Sequence, residues 1–334
     1  PFNIGKIRSK FYAGVQLRYD DINDVELTKT RNRLNDVSPV MRGDVKELNS
    51  AVFIDQELNL TEKLSLTAGL RADHFANTYS DALNITNTQL KSTIISPKLN
   101  LQYEVSRQWL LYWKNGRGFH SNDSRAATNQ EVRTLLPPAW GTDLGTIIKP
   151  GKKWMLQVAV WYLKLDQEFV YVGDAGIVEP GGRTERMGID LSARLELLKY
   201  IYADLDVCMA KPRNLGVSKE EWFIPLAPLF TSTGGISYRK ASGLNGSVRY
   251  RYMGKRPANE DYSLAASAYF VIDASLNYNW KKWELGLSVQ NLLNTKWKET
   301  QFETESRLKF EPAPVSEIHF TPGSPFFARM SVCI

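Results

Sequence analysis

The side chains best suited to chemistry in this 334-residue chain are few and scattered. There are three histidines, His74, His120 and His319. His120 has Ser121 and Asp123 beside it, the residue types of a nucleophile, base and carboxylate set. Such a set is defined by geometry, and residues crowded into one loop tip seldom provide it. No Gly-x-Ser-x-Gly elbow is present. The histidines and scattered carboxylates show no metal-ligand spacing. Cys208 and Cys333 are far apart, match no such spacing either, and read as two small strand residues. "GDAGIVEPGGR" is rich in glycine, but it joins two strands and opens no helix, so it is not a phosphate loop. The expectation is a chain with no catalytic residue, no metal site and no cofactor.

The bulk composition narrows the class. The formal charge of +6 arises from 42 basic and 36 acidic residues, a mixed surface without the dense Lys/Arg block that nucleic acid requires. There is no run of about 18 apolar residues, so a transmembrane helix is not expected. The first residue is Pro1 with no signal peptide after it, and processing or truncation upstream is expected.

What positions these residues is a pattern of strands. In "YFVIDASLNYNW", Phe270, Ile272, Ala274, Leu276, Tyr278 and Trp280 form one face, and Val271, Asp273, Ser275, Asn277 and Asn279 the other. "LNGSVRYRY", "LSLTAGLRAD", "FYAGVQLRYD" and "ISPKLNLQYE" alternate in the same way. About fourteen such strands are expected, many of ten residues or more, which is the length of roughly 9–11 residues that crosses a bilayer when tilted.

The links between strands alternate in length. Tight links fall near 61–63, 105–107, 150–151, 197–199, 239–242 and 281–282. Long ones fall near 21–47, 78–91, 119–138, 174–182, 212–225, 255–266 and 294–324. A meander with one plain and one elaborate end has the layout of an outer-membrane barrel, with short periplasmic turns and long extracellular loops. The alternation requires "WMLQVAVWYLKLDQEFVYVGD" to be one long strand with a bulge near Asp166. Arg18, Arg71, Lys98, Asp190, Arg249 and Arg251 fall on the polar face, as in a wet lumen. Tyr12, Tyr103, Trp109, Trp154, Tyr200, Tyr202, Trp280 and Trp283 fall near strand ends, where interfacial aromatics sit. The fold expected is all-β, an antiparallel up-and-down transmembrane β-barrel, with both chain ends on the periplasmic side.

The strand that ends at "SVQNLLNTKW" carries Val289, Asn291, Leu292, Asn294 and Trp297. This is similar to the V-x-N-L-x-N/D-x-x-Y/W pattern in the penultimate barrel strand of TonB-dependent outer-membrane receptors. "NGRGFHSNDSRAA", "IPLAPLFTSTGGISYR", "GKRPANEDYSLAASAYFVIDASLNY", "TESRL" and "HFTPGSPFFARMSV" resemble the same family in order, over essentially the whole chain. The resemblance implies a 22-stranded barrel filled by an N-terminal plug. Residues 1–334 correspond to the later strands, from about the ninth onward, with no counterpart of the plug or of the TonB-contacting segment. Such barrels usually end in an aromatic residue, whereas this chain ends in Cys333 and Ile334, so a missing or altered final signal is expected.

The resemblance implies TonB-energised uptake of a scarce nutrient, of the ferric siderophore, cobalamin or oligosaccharide class. The implied partners are the TonB complex (through the plug), the extracellular ligand and outer-membrane lipid, with the cell outer membrane as location. Ligand contacts are expected in the long loops: Phe119, His120, Asn122, Asp123, Arg125 and Trp140 in one; Arg256, Asn259 and Tyr262, with Glu260 and Asp261, in another; Arg307, with Glu303, Glu305 and His319, in the last. Arginines there could hold carboxylates or phosphates, and aromatics could stack on sugars or catecholates. Loop-against-loop packing is the plainer role for each of them. Two alternatives remain at this point, a passive pore of fourteen strands and an outer-membrane hydrolase using His120.

Overall fold

The computed structural model describes residues 2–5, 7–32, 35–122, 135–172, 177–240 and 242–333. Within them the chain forms strands and one short 3-10 turn at Lys219–Glu221. The strands are β1 (Phe2–Ile4), β2 (Ile7–Arg31), β3 (Asn35–Asn59), β4 (Leu64–Asp81), β5 (Thr86–Ser106), β6 (Trp109–Phe119) and β7 (Pro138–Ile148). They continue with β8 (Trp154–Leu165), β9 (Phe169–Val172), β10 (Ile177–Pro180), β11 (Arg183–Leu198), β12 (Ile201–Leu215), β13 (Phe230–Tyr238) and β14 (Gly243–Met253). The last are β15 (Arg256–Pro257), β16 (Ala265–Ala266), β17 (Tyr269–Trp280), β18 (Trp283–Gln290), β19 (Lys298–Ser306), β20 (Val315–Pro322) and β21 (Phe327–Cys333).

The main sheet has 15 strands in the order β1-β2-β3-β4-β5-β6-β7-β8-β11-β12-β13-β14-β17-β18-β21. Setting aside the three-residue β1 leaves fourteen, the number expected from the alternation. Every neighbour is also the next sheet strand in the chain, which is the up-and-down connectivity of a membrane barrel. The pairs β9–β10, β15–β16 and β19–β20 are separate two-stranded hairpins carried in the long links. The tight links are residues 60–63, 107–108, 149–153, 199–200, 239–242 and 281–282.

Three expectations need correction. Residues 21–47 are not a loop, because β2 and β3 stay paired out to Arg31↔Asn35, with register shifts at Ile22/Val25, Leu27/Thr28 and Lys29/Thr30. Polar residues fall on both faces there, beside exposed Ile22, Leu27, Val37 and Val40, so the alternation fades while the backbone ladder continues. The link at 78–91 likewise shrinks to 82–85. The segment after Trp154 is not one bulged strand either. β8 stops at Leu165, the chain bends at Asp166, and β9 then pairs with β10.

The chain divides into two compact units. The first comprises 1–102, 114–142 and 164–183. Its apolar strand face carries the pairs Ala13↔Ile54, Val15↔Val52, Val52↔Ala72 and Ile54↔Leu70, and Val15, Val52, Ile54 and Leu70 are all exposed. On the opposite face Arg71 pairs with Asp73 at 2.8 Å and Lys98 with Asp55 at 2.9 Å. A small apolar cluster of Phe75, Ile94, Leu135 and Leu136 lies under the end of β6.

The second unit comprises 103–113, 143–163 and 184–334. One row crosses six strands through directly opposed residues: Ala203, Ile236, Val248, Ala274, Val289 and Ala328. Of its larger members, Ile236 and Val248 are exposed and Val289 is half-buried. One residue away along each strand, a second row runs Tyr202, Ser237, Ser247, Ser275, Ser288 and Arg329. A sheet with exposed apolar residues on one face and hydroxyls and ion pairs on the other is inverted relative to a water-soluble one, and fits lipid outside and water inside. Trp280 and Trp283 face each other across the 281–282 turn and are both exposed, as interfacial residues are.

Candidate functional site

The basic residues expected on the polar face all have acidic partners there. Arg18 meets Asp20 at 2.8 Å, Arg249 grips both oxygens of Asp204 at 2.8 and 2.7 Å, and Arg251 meets Asp273 at 3.3 Å. Arg194, not singled out from the sequence, holds Asp206 through two contacts of 2.9 Å. The partners Asp204, Asp206 and Asp273 lie far away in sequence from most of the arginines they hold, so spacing alone gave no signal for them.

The motif of the penultimate strand is a structural knot. Asn291 is 1% exposed and has φ of 49°. Its backbone N–H donates to Asp273 Oδ1 (2.9 Å), and its Nδ2 donates to the carbonyls of Thr295 (2.9 Å) and Ser324 (3.0 Å). Its Oδ1 accepts from Thr295 N at 2.9 Å. Asn294 Oδ1 accepts from Phe326 N at 3.1 Å, and Trp297 Nε1 donates to Ser324 O at 3.1 Å. The Trp297 ring lies against Gly323, where a Cβ would sit 2.1 Å from it. The end of β18 is thereby sewn to the start of β21, and Val289 lies on the apolar row just below.

The expected ligand residues fall into two groups, one in each unit. In the first unit, Phe119 packs edge-on against Phe75 at 5.8 Å and belongs to the apolar cluster. His120 is exposed, and its N–H donates to Pro137 O at 3.3 Å. Asn122 is buried, with its N–H on Leu135 O at 2.9 Å. Trp140 lies within β7, on the strand face of exposed Leu144, rather than in the preceding loop. Asp123 and Arg125 lie outside the described residues.

In the second unit, three long links are tied into one cap. The 216–229 link donates from Phe223 N to Glu260 O at 3.0 Å and from Leu226 N to Pro257 O at 2.8 Å. Phe223 and Tyr262 meet edge-on at 5.1 Å. Leu226 and Tyr262 hold φ of 61° and 60°, a strained region for side chains of this size. The β15–β16 hairpin is joined to β19 by fully buried Gln301, which accepts from Ser267 N (2.7 Å) and donates to Ser267 O (3.1 Å). Asn259 Nδ2 donates to Ser263 Oγ at 2.7 Å and to Glu303 Oε1 at 3.3 Å. Arg256, Asn259, Tyr262 and Glu303 are thus brought together from two links. Arg307 stands apart, with its Nε on Glu311 O at 3.0 Å. Arg256 is buried, and its side-chain Nη1 has no hydrogen-bond partner among the described residues.

His74 bonds Thr93 Oγ1 at 2.8 Å on β4, and His319 lies 3.2 Å from Glu317 on β20. Among the described residues no group of three His, Cys, Asp or Glu is placed to hold a metal ion. A cleft of about 800 Å³ lies in the second unit by the 149–153 and 239–242 turns, at the opposite end of the strands from the cap. Asp204 and Asp206 in its wall are already held by Arg249 and Arg194.

The family model described as TonB dependent receptor-like, beta-barrel matches residues 1–292. Among solved structures, the chain is similar to the ferric-catecholate import receptor Fiu from E. coli K12, at 16% identity and a TM-score of 0.75, covering 99% of this chain and 53% of that one. The ferric citrate transporter FecA gives 14% identity and 0.77, covering 99% and 52%. The copper transporter OprC gives 14% and 0.73, covering 97% and 55%. The chain spans about half the length of these structures.

Proposed function

The chain belongs to the TonB-dependent receptor-like β-barrel family, and from that premise we propose that it forms barrel wall and extracellular cap of an outer-membrane receptor for TonB-energised uptake. Residues 1–334 would supply the later strands of the barrel. The plug and the TonB-contacting segment would belong to sequence outside this span, in keeping with the half-length coverage of the solved structures. The cargo proposed is a scarce nutrient, with ferric siderophores first, because Fiu and FecA carry ferric compounds by name.

The observation that carries this reading is the combination of membrane-length strands, apolar outside and ion-paired inside, with a cap whose three links are bonded to one another. A passive pore has no need of a tied cap, whereas a receptor needs a preorganised mouth. The strands act as a rigid sleeve and the cap and loops as the selective surface. No residue is assigned a catalytic role, since the three histidines lie in three separate settings, on β4, in the link after β6 and on β20.

The test is an in-frame deletion in the source bacterium, compared with the wild type on iron-depleted medium supplied with single siderophores. The expected outcome is loss of growth on at least one, matched by a strain lacking TonB and restored by the complete gene. Unchanged growth and unchanged uptake of labelled iron, cobalamin and oligosaccharides would overturn the proposal.

A further inference from the structure

Four arginines of the second unit are ion-paired. Arg194, Arg213, Arg249 and Arg251 each face a carboxylate: Asp206, Glu185, Asp204 and Asp273. Arg256 does not. It is 6% exposed, and its buried Nη1 meets no acceptor. Its neighbours along and across the hairpin, Pro257, Ala258 and Ala266, are buried, and the phenol of Tyr269 lies close enough to act on its charge. Asp273 and Glu303 are engaged elsewhere. Asp273 serves Arg251 and the Asn291 N–H, and Glu303 accepts from Ser316 Oγ at 2.5 Å and from Asn259.

A guanidinium stays charged at any working pH, so neutralising it is no escape. Burial still pushes its pKa down, which records how badly the charge is solvated in this setting. A buried charge left unpaired is among the least favourable arrangements a protein holds. It is retained where something outside the fold supplies the counter-charge. A guanidinium presents two parallel N–H bonds and so selects a partner with two oxygens side by side, a carboxylate or a phosphate.

We propose that Arg256 is the anion-recognition residue of the three-link cap, and that the transported ligand bears an oxyanion which pairs with it. This rests on the receptor reading above and adds the chemical class of the ligand. The β15–β16 hairpin that carries Arg256 pairs Arg256↔Ala266 and Pro257↔Ala265, and is held to the other two links through Leu226 N on Pro257 O and Gln301 on Ser267. The ring of Tyr269 lies 4.9 Å from that of Trp297, which gives an optical reporter beside the site.

The experiment is thermal unfolding of the complete protein in detergent, with sodium phosphate or sodium acetate compared with sodium chloride at equal ionic strength. Tryptophan emission is recorded in parallel. Wild type should melt progressively higher with phosphate or acetate, saturably, with a change in emission. Arg256→Met should melt at or above the wild type in chloride, because it removes an unpaired buried charge, and should not respond to either anion. Arg256→Lys should keep the response with a half-saturating concentration raised about fivefold or more, having lost the fork.

Melting of Arg256→Met several degrees below wild type in chloride would overturn the proposal, since the charge would then be satisfied from within the protein. Failure of both Arg256→Met and Arg256→Gln to fold would do the same, as would an anion response equal in the variant and the wild type. A flat wild-type response with siderophore-dependent growth intact removes this inference alone. A saturable response with no growth phenotype removes the receptor reading and leaves the anion site.

Discussion

Asn291 shows why an asparagine, rather than any polar residue, belongs at the end of the penultimate strand. Its side chain must both donate and accept, and its backbone sits at φ of 49°, which asparagine tolerates better than other side chains. Asn291→Ala removes three side-chain hydrogen bonds from a fully buried position, and should cost about 3 kcal/mol in urea unfolding of the refolded protein. Asn291→Asp keeps the acceptor for Thr295 N but loses both donors, and should be no better than alanine. Full stability in either variant would refute the knot. This residue could be picked from the sequence, because the alternation stops there. Its partner Asp273 could not, because the pairing crosses from one strand to the next and leaves no local mark. The same holds for Asp204, whose arginine, Arg249, was visible and whose own role was not, while Arg194 and Asp206 both escaped notice.

At the level of elements, the lipid-crossing strands were legible and the strands beyond the membrane were not. Period two is written by a difference between two solvents, lipid and water. Along the outer parts of β2 and β3 polar and apolar residues mix on both faces, and the difference fades although the hydrogen-bonded ladder persists. The hairpin β19–β20 is a case of the same kind, hidden inside what read as one long loop. Its Glu317 accepts from Ser306 Oγ at 2.5 Å and lies 3.2 Å from His319, and these contacts hold its carboxyl below the usual range. A carboxyl depressed in the folded state contributes stability above its unfolded pKa and loses it as pH falls through the folded one. Backbone amides of β19 and β20 should therefore exchange faster as pH is lowered below the ordinary glutamate range, after correction for intrinsic rates, and Glu317→Gln should flatten that dependence. Gln301→Ala should release β19 from Ser267. The expected result is faster protease cleavage in both the 254–268 and 291–326 links, with the sheet strands still protected. Cleavage rising in only one link would show that the two are not coupled through Gln301.

At the scale of the whole molecule, the fold is a division between two faces, and neighbouring residues can test it. Val248 lies on the exposed apolar row and Ser247 on the hydroxyl row, one position apart on β14. Val248→Arg places a charge against lipid and should cost about 2–4 kcal/mol near the bilayer midplane. Ser247→Arg points into the polar side and should be tolerated. The readout is heat-modifiable gel mobility of the complete protein refolded into vesicles, and equal folding of the two variants would refute the assignment of faces. The same refolded protein in planar bilayers should show no steady channel, and a constant open conductance would restore the passive pore. The resemblance to a receptor family was legible because the motifs occur at strand ends, where backbone geometry limits the choice of residue. The cap was not, since Gln301, Phe223 and Leu226 have no special look in the chain.

The double contact of Gln301 with Ser267 also constrains how this surface can change over evolutionary time. One side chain there imitates a peptide group, so an insertion or deletion that shifts either link out of step strands a buried amide. Recombination between relatives should then preserve the 254–268 and 291–326 links as a matched set. A chimaera that swaps only one of them should assemble poorly, and one that swaps both should assemble well.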